Sequence, residues 1–254
     1  MESSFSSFYA EEDPVLAREA AASNLKLLDG LCTRYPKDVS LQILSAKAFF
    51  SYAFGYVEEE NPERAGKLYY RGFLSAVKVL GGEEVFTRMD MDLFKEKSRK
   101  EFNRYFESYF WAALNFAAWM NLNKSDPVAL AHRGKVEWTG SLAVEKNESY
   151  YHGGPHLLLG IYACALPKTL GGTPEKGAEQ FEKALALSEK TFLPVSYFYA
   201  RYYATAMQNK DLFRQLLKSC LDFKPENHPS ERLVNTLIRE RAKKLLESED
   251  QFFI

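Results

Sequence analysis

The sequence predicts an all-helical protein built from helical hairpins. Apolar residues recur at intervals of three and four between Pro14 and Leu246, and no stretch alternates convincingly as a strand would. Four helix starts share one form, a short polar residue followed by proline. The polar side chain can cap free N–H groups, and proline fits the first helical turn. These starts are Asp13-Pro14, Asn61-Pro62, Asp126-Pro127 and Thr173-Pro174.

The same spacing of apolar residues and the same start signals predict the helices in order along the chain. We predict helices near 14–34, 39–58, 62–80, 101–122, 126–146, 154–166, 174–188, 194–207, 211–222 and 230–246, with a short segment over 83–98. The connections are short, so we expect one continuous domain over residues 1–254, with an extended or disordered N-terminus over about 1–12.

Two of the predicted helices repeat one pattern of small and bulky residues. They run from Asn61 to Phe73 and from Thr173 to Leu185. The matching positions are Ala65, Tyr69 and Gly72 in the first, and Gly177, Phe181 and Ala184 in the second. Small residues let a neighbouring helix approach while the ring fills the gap beside them, as in the second helix of a tetratricopeptide (TPR) hairpin. The repeat predicts TPR-like hairpins stacked as a solenoid.

Composition excludes several classes of function. Lys and Arg total 33 against 34 Asp and Glu, so the chain as a whole has no basic excess with which to hold nucleic acid or an anionic membrane. The longest apolar run, from Trp111 to Met120, is too short to cross a bilayer. Motifs typical of hydrolases, zinc enzymes and nucleotide-binding loops are missing from the sequence. We therefore expect a binding protein rather than an enzyme, with no cofactor.

Two other local features limit the interpretation of the chain. The N-terminus has no basic segment followed by an apolar one, so it carries no export signal, although an expressed mature fragment would look the same. The three cysteines lie in apolar helical contexts without a CxxC pair, which favours buried thiols over a disulfide framework. They are Cys32, Cys164 and Cys220.

The stretch YHGGPHLLLG, residues 151–160, carries two histidines four apart. A metal site on His152 and His156 would serve a hydrolase, but the Gly-Gly-Pro break separates the two and no Cys, Asp or Glu accompanies them at ligand spacing. The alternative is a helix joint, with Gly153 or Gly154 left-handed, Pro155 in the first turn and Gly160 in close helix contact. His156 then faces that joint or lines a ligand channel.

A second candidate surface lies on the helix predicted over 101–122. Its main apolar stripe is expected to be core, while Trp111, Asn115 and Trp119 form an adjacent stripe at four-residue steps. A helix that is apolar on more than one face needs a second partner, either another subunit or an apolar ligand. We therefore predict a ligand lining made by Tyr151, His156, Trp111, Asn115 and Trp119.

Several segments together resemble a known family, the TPR-containing T component of tripartite ATP-independent periplasmic (TRAP) transporters, often called TatT. The segments are SYAFGYVEEENPERAGKLYYRG (51–72), YYHGGPHLLLGIYACALPKTLGGTPEKGAEQFEKAL (150–185), YARYYA (199–204) and ERLVNTLIRERAKKLLE (231–247). The GGPH, LP-x-x-LGG and N-x-x-x-x-x-R-A-K-x-LL elements are quite specific in combination. The resemblance extends over nearly the whole chain.

The resemblance implies a periplasmic, lipid-anchored protein whose helical hairpins surround a pore or cleft. It implies docking to the P component, the solute receptor of the transporter, a homotrimer, and a role in passing apolar small molecules or lipids. Membrane attachment would come only through an N-terminal lipid anchor. This sequence lacks the signal peptide and the lipid-carrying cysteine, so we interpret Met1 as the start of an expressed fragment.

The resulting hypothesis is a non-enzymatic periplasmic accessory protein of a TRAP transporter that docks the P component and offers an apolar ligand path. A generic TPR adaptor that binds a protein segment in its groove, without a small ligand, is the alternative. An apolar closed channel would favour the first, and an open groove lined by Lys, Arg and Asn would favour the second.

Overall fold

A computed structural model of the protein describes residues 10–123 and 126–253, and in that part of the chain the regular structure is all helical. The α-helices are α1 (Pro14–Arg34), α2 (Val39–Tyr52), α3 (Pro62–Lys78), α4 (Glu84–Thr87), α5 (Met91–Leu122), α6 (Pro127–Ala131), α7 (Arg133–Asn147), α8 (Tyr150–Cys164), α9 (Pro174–Leu187), α10 (Pro194–Phe198), α11 (Lys210–Asp222) and α12 (Arg232–Glu247). Short π-helical turns follow α2 (Ala53–Val57) and α10 (Tyr199–Ala204). The predicted all-helical class is confirmed. Most of the segment predicted to be extended, residues 1–9, lies outside the described residues.

Side-chain capping explains two of the four predicted starts, those at Asp13 and Asn61. Asp13 Oδ1 accepts bonds from the backbone N–H groups of Val15 (2.8 Å) and Leu16 (3.2 Å). The Asn61 side chain likewise accepts a bond from the backbone N–H of Arg64, the third residue of α3. Thr173 makes no side-chain cap; its own N–H donates instead to the carbonyl of Ala163 at 2.8 Å, which ties the start of α9 back to α8.

The predicted boundary between residues 98 and 101 is wrong, and the helix predicted over 126–146 is divided at His132 into α6 and α7. The segment over 83–98 and the helix over 101–122 are in fact the short α4 followed by one long helix, α5. Asp90 caps the start of α5 through the N–H of Asp92, and neither glycine nor proline interrupts the residues that follow. The helix is instead irregular at Tyr105 (φ −118°, ψ 29°), which replaces the predicted break by a kink.

The contacts divide the chain into two compact units. Of the described residues, one unit contains 10–17 together with 147–253, and the other runs from Arg18 to Lys146. The Arg18–Lys146 unit has a core of stacked rings in which Phe73 lies 4.7 Å from Phe116 and 5.6 Å from Phe86, measured between ring centroids. α2, α3 and α5 pack together around these rings.

In the other unit, α8 and α9 form the predicted hairpin. A Cβ added to Gly160 of α8 would lie 3.1 Å from the ring of Phe181 on α9. One added to Gly177 of α9 would lie 2.3 Å from Cys164 Sγ, and Phe181 also stacks on Tyr199 at 4.9 Å. In this hairpin, bulky side chains therefore lie against the small residues, as the repeat predicts. The stacking of hairpins into a solenoid around a pore stays a prediction.

The three thiols are buried, as expected. Burial raises the pKa of both Cys164 and Cys220 to about 12, since a thiolate would lose its solvation there. These side chains therefore act as small apolar groups rather than nucleophiles at neutral pH.

Candidate functional site

The start of α8 contains a left-handed kink. Tyr151, His152 and Gly153 have φ angles of 48°, 59° and 76°. The sequence predicted a left-handed glycine here, and Gly153 confirms it. The two preceding residues were not expected to be left-handed, because such a conformation is strained for residues with a Cβ and recurs at functional sites.

Close packing holds the kink in place. A Cβ at Gly153 would approach the Cα of Ala184 on α9 to 3.1 Å, closer than ordinary contact, so a larger residue would have to push α9 away. After the kink, Pro155 opens the regular part of α8, where its missing N–H costs no helical bond. The predicted joint between helices is therefore present at this position.

His152 is held by an aromatic stack and a carboxylate. Its ring stacks on Phe192 with centroids 4.4 Å apart and planes 13° apart, and Tyr151 packs edge-on against the same Phe192 at 5.7 Å. His152 Nε2 lies 3.6 Å from Glu231 Oε1. Burial lowers the pKa of His152 below its usual value and the neighbouring Glu231 opposes this only in part, so the imidazole is neutral at pH 7.

The lowered pKa predicts a pH dependence of stability. The unfolded chain binds a proton on His152 more readily than the folded protein does, so this stabilisation is complete above about pH 6.5 and is lost as the pH falls through the lowered value. Thermal unfolding between pH 7.5 and 5.5 should therefore show a falling Tm. His152→Asn tolerates the left-handed backbone and cannot titrate, so its Tm should fall less. Equal slopes for the two proteins would contradict this assignment.

His156 lies at the interface between α8 and α9 with 1% of its surface exposed. Its Nδ1 is 2.7 Å from Gln180 Oε1, and its Nε2 is 3.2 Å from Glu148 Oε2. Both ring nitrogens therefore have partners from the protein itself. Of the two positions that the sequence allowed, the structure places His156 at the helix joint.

The two histidines serve different neighbours, since His152 contacts Phe192 and Glu231 while His156 contacts Gln180 and Glu148. In the described part of the chain, no three His, Cys, Asp or Glu side chains come together as a metal site would require. The arrangement therefore gives no support to the metal-dependent hydrolase.

The Arg18–Lys146 unit contains the other three predicted lining residues, all on α5. Trp111 has no exposed surface and packs against Phe50 (5.9 Å) and Phe110 (5.6 Å), with Lys47 Nζ 5.6 Å from its ring centre. Trp119 is half-buried and stacks on Phe116 at 5.3 Å. Trp111 is thus enclosed by its own unit, whereas Trp119 retains accessible surface.

Asn115 links three helices at the centre of the same unit. Its side-chain Nδ2 donates to the carbonyl oxygens of Ala46 on α2 (3.2 Å) and Trp111 (2.9 Å). Its Oδ1 has no hydrogen-bond partner among the described residues and lies only 2.2 Å from the position that a Cβ on Gly72 of α3 would take. The amide that the sequence suggested as a ligand group therefore acts as a fully buried contact between helices.

The predicted lining residues thus fall into two groups. Trp111, Asn115 and Trp119 share α5 in one unit, and Tyr151 and His156 share α8 in the other. Sequence reasoning missed Phe192, which stacks on His152, and Asn235, which bonds the backbone on both sides of Phe192 through the N–H of Leu193 (3.0 Å) and the carbonyl of Thr191 (2.8 Å). Asn235 begins the N-x-x-x-x-x-R-A-K element of the family resemblance, and the sequence predicted no role for it.

The helix lengths and composition also bear on membrane attachment. In the described part of the chain, each helix is either too short or too polar to cross a bilayer.

Comparison with known proteins and protein families identifies the family of the chain. A comparison with curated proteins found no match. The model of one protein family, described as TRAP transporter T-component (TAtT), matches residues 10–253. The match extends from before α1 to beyond α12 and includes every segment on which the sequence resemblance depends. The chain therefore belongs to the TRAP transporter T-component family.

Proposed function

We propose that this T component works in the periplasm, where it docks the solute-binding P component of its transporter and offers an apolar ligand a path along its aromatic surface. The observation that carries the proposal is the family match over residues 10–253. A lipid-anchored precursor and a homotrimer, which the resemblance implies, are parts of the same proposal.

The ligand path is supported by the aromatic groups that keep accessible surface. Tyr151 and Trp119 are half-buried, so each can present a ring to a bound molecule. The other three residues, His156, Trp111 and Asn115, have at most 1% of their surface exposed. We assign them a supporting role, in which they hold the lining residues in place without contacting the ligand. Binding would then depend on burial of apolar surface with few polar contacts, which suits a fatty or aromatic acid.

Docking is tested by the mass of the complex in solution. We expect the purified chain, mixed with the P component of the same transporter, to elute in size-exclusion chromatography with light scattering as a species heavier than either protein alone. A defined mass would give the stoichiometry, and a trimeric core would appear as a multiple of three chains. Separate elution of the two proteins at micromolar concentration would contradict the docking proposal.

A TPR adaptor that binds a protein segment is the second candidate, favoured by the interlocking of α8 and α9 through Gly160 and Phe181. Organic extraction of the purified protein followed by mass spectrometry distinguishes the two candidates. Recovery of a stoichiometric apolar small molecule supports the ligand path. A bound peptide without any such molecule supports the adaptor.

A further inference from the structure

The first helix exposes an apolar stripe. Among the described residues, nine large apolar side chains are strongly exposed, and five of them lie between Val15 and Tyr35. Leu27 and Leu31 of α1 are 67% and 43% exposed, and Tyr35, which directly follows the last residue of α1, is 49% exposed. The N–H of Tyr35 still donates to the carbonyl of Leu31 at 2.8 Å, so the three residues, spaced four apart, follow one another along one face. We call these three residues the α1 stripe.

The stripe is separate from the face by which α1 joins the core. The core-facing side chains of the same turns, Leu28 and Cys32, are at most 8% exposed. Next to the stripe, a Cβ added to Gly30 would meet no atom within 4 Å. The helix is therefore apolar on two faces, and its own unit covers only one.

Positive charge surrounds the α1 stripe. Lys26, Arg34 and Lys37 are exposed, with 77% of the Lys26 side chain accessible. Of the two acidic residues next to the stripe, Asp29 is paired with Arg71 of α3 and lies 3.3 Å from Lys26 Nζ, and Asp38 accepts a hydrogen bond from the N–H of Leu41 at the start of α2. The exposed Glu19 lies about two turns earlier on α1, so the excess of basic charge is confined to the end of the helix.

We propose that the α1 stripe rests on the surface of an anionic phospholipid bilayer, with α1 lying in the plane of the interface. The two leucines would enter the boundary between head groups and acyl chains, while the basic side chains meet lipid phosphates. Arg34 Nε donates to Tyr35 Oη at 3.1 Å, a tyrosine and arginine pair suited to the head-group region. This contact would be additional to any lipid anchor.

The basic charge around the α1 stripe favours an anionic lipid surface over a second protein molecule as its partner. A second copy paired symmetrically through the stripe would bring Lys26, Arg34 and Lys37 towards the same basic residues of its partner. A single helix stripe also offers much less than the roughly 800 Å² per partner of a stable protein interface. The absence of a basic excess over the whole chain does not oppose the proposal, because membrane attraction acts within about a Debye length of the surface.

Vesicle sedimentation tests the proposal with the protein as it is. We expect binding to vesicles that contain phosphatidylglycerol, weaker binding to pure phosphatidylcholine, and loss of the difference at high salt. The double variant Leu27→Ser/Leu31→Ser should bind the anionic vesicles roughly tenfold less, because it loses two inserted leucines. Leu170→Ser is the matched control, since Leu170 is 66% exposed at another place and its loss should leave binding unchanged.

Three results would overturn the proposal. They are failure of the unaltered protein to sediment with anionic vesicles, equal binding by the double variant, and loss of self-association by that variant in light scattering without loss of vesicle binding. Circular dichroism melts check that the variants fold. Docking of the P component is measured in solution without lipid, so failure of one proposal leaves the other testable.

Discussion

Gly160→Leu should destabilise the unit that contains α8 to α12 by about 3 kcal/mol or more. The Cβ alone would lie 3.1 to 3.2 Å from three atoms of the Phe181 ring, and the remaining leucine atoms would need the space that this ring occupies. Phe181 cannot move aside easily, because it has no exposed surface and stacks on Tyr199. Urea unfolding followed by circular dichroism measures the loss.

Gly30→Leu is the control for this prediction. Gly30 also lies inside a helix, but a Cβ there would meet nothing within 4 Å. Leucine has the higher helix propensity, so this variant should be as stable as the unaltered protein or more stable by some tenths of a kcal/mol. If both substitutions had the same effect, close packing at Gly160 would not be the cause.

The contrast between these glycines also explains what the sequence could predict. The alternation of small and bulky residues in 173–185 predicted a helix that interlocks with its neighbour, because both members of each contact belong to short periodic segments. Gly30 lacks such a pattern around it, and it is correspondingly open. Helix starts could also be predicted from nearby residues, because Asp13 and Asn61 cap N–H groups within three residues of themselves.

The kink at 151–153 could be predicted only in part. A glycine pair before proline indicates a left-handed turn, and Gly153 adopts it. Tyr151 and His152 join the turn because distant residues hold them there: Phe192 lies about 40 positions away and stacks on His152, and Glu231 lies still further along the chain. Periodicity within one segment carries no information about such partners.

The burial of polar side chains also could not be predicted from local sequence patterns. The sequence suggested that Asn115 contacts a ligand, because this residue interrupts an aromatic face. In the structure, the Asn115 side chain is instead enclosed by Ala46 and Gly72 from two other helices. Lys135 is a similar case, since it is 3% exposed and donates to the carbonyls of Phe86 and Met89. Here the ammonium group satisfies the carbonyls near the end of α4, although lysine is usually exposed.

Asn235→Ala is expected to have the second large effect, because this buried amide holds the loop that carries Phe192. Asn235 is fully buried; its Oδ1 accepts from the N–H of Leu193 at 3.0 Å, and its Nδ2 donates to the carbonyl of Thr191 at 2.8 Å. Alanine would leave both backbone groups without these bonds. Each buried group left unpaired costs about 1–3 kcal/mol, so the loss of unfolding free energy should be roughly 2–4 kcal/mol.

The same variant should also change the environment of His152, which separates a role at the candidate site from a purely global loss of stability. If the loop relaxes, Phe192 withdraws from the imidazole, burial decreases, and the pKa of His152 rises towards its usual value. A titration of the histidine resonances by NMR, below the unfolding temperature, follows this change. Asn24→Ala, at an exposed helical position, should alter neither quantity. A destabilised Asn235→Ala protein with an unchanged His152 titration would mean that Asn235 does not position the ring stack.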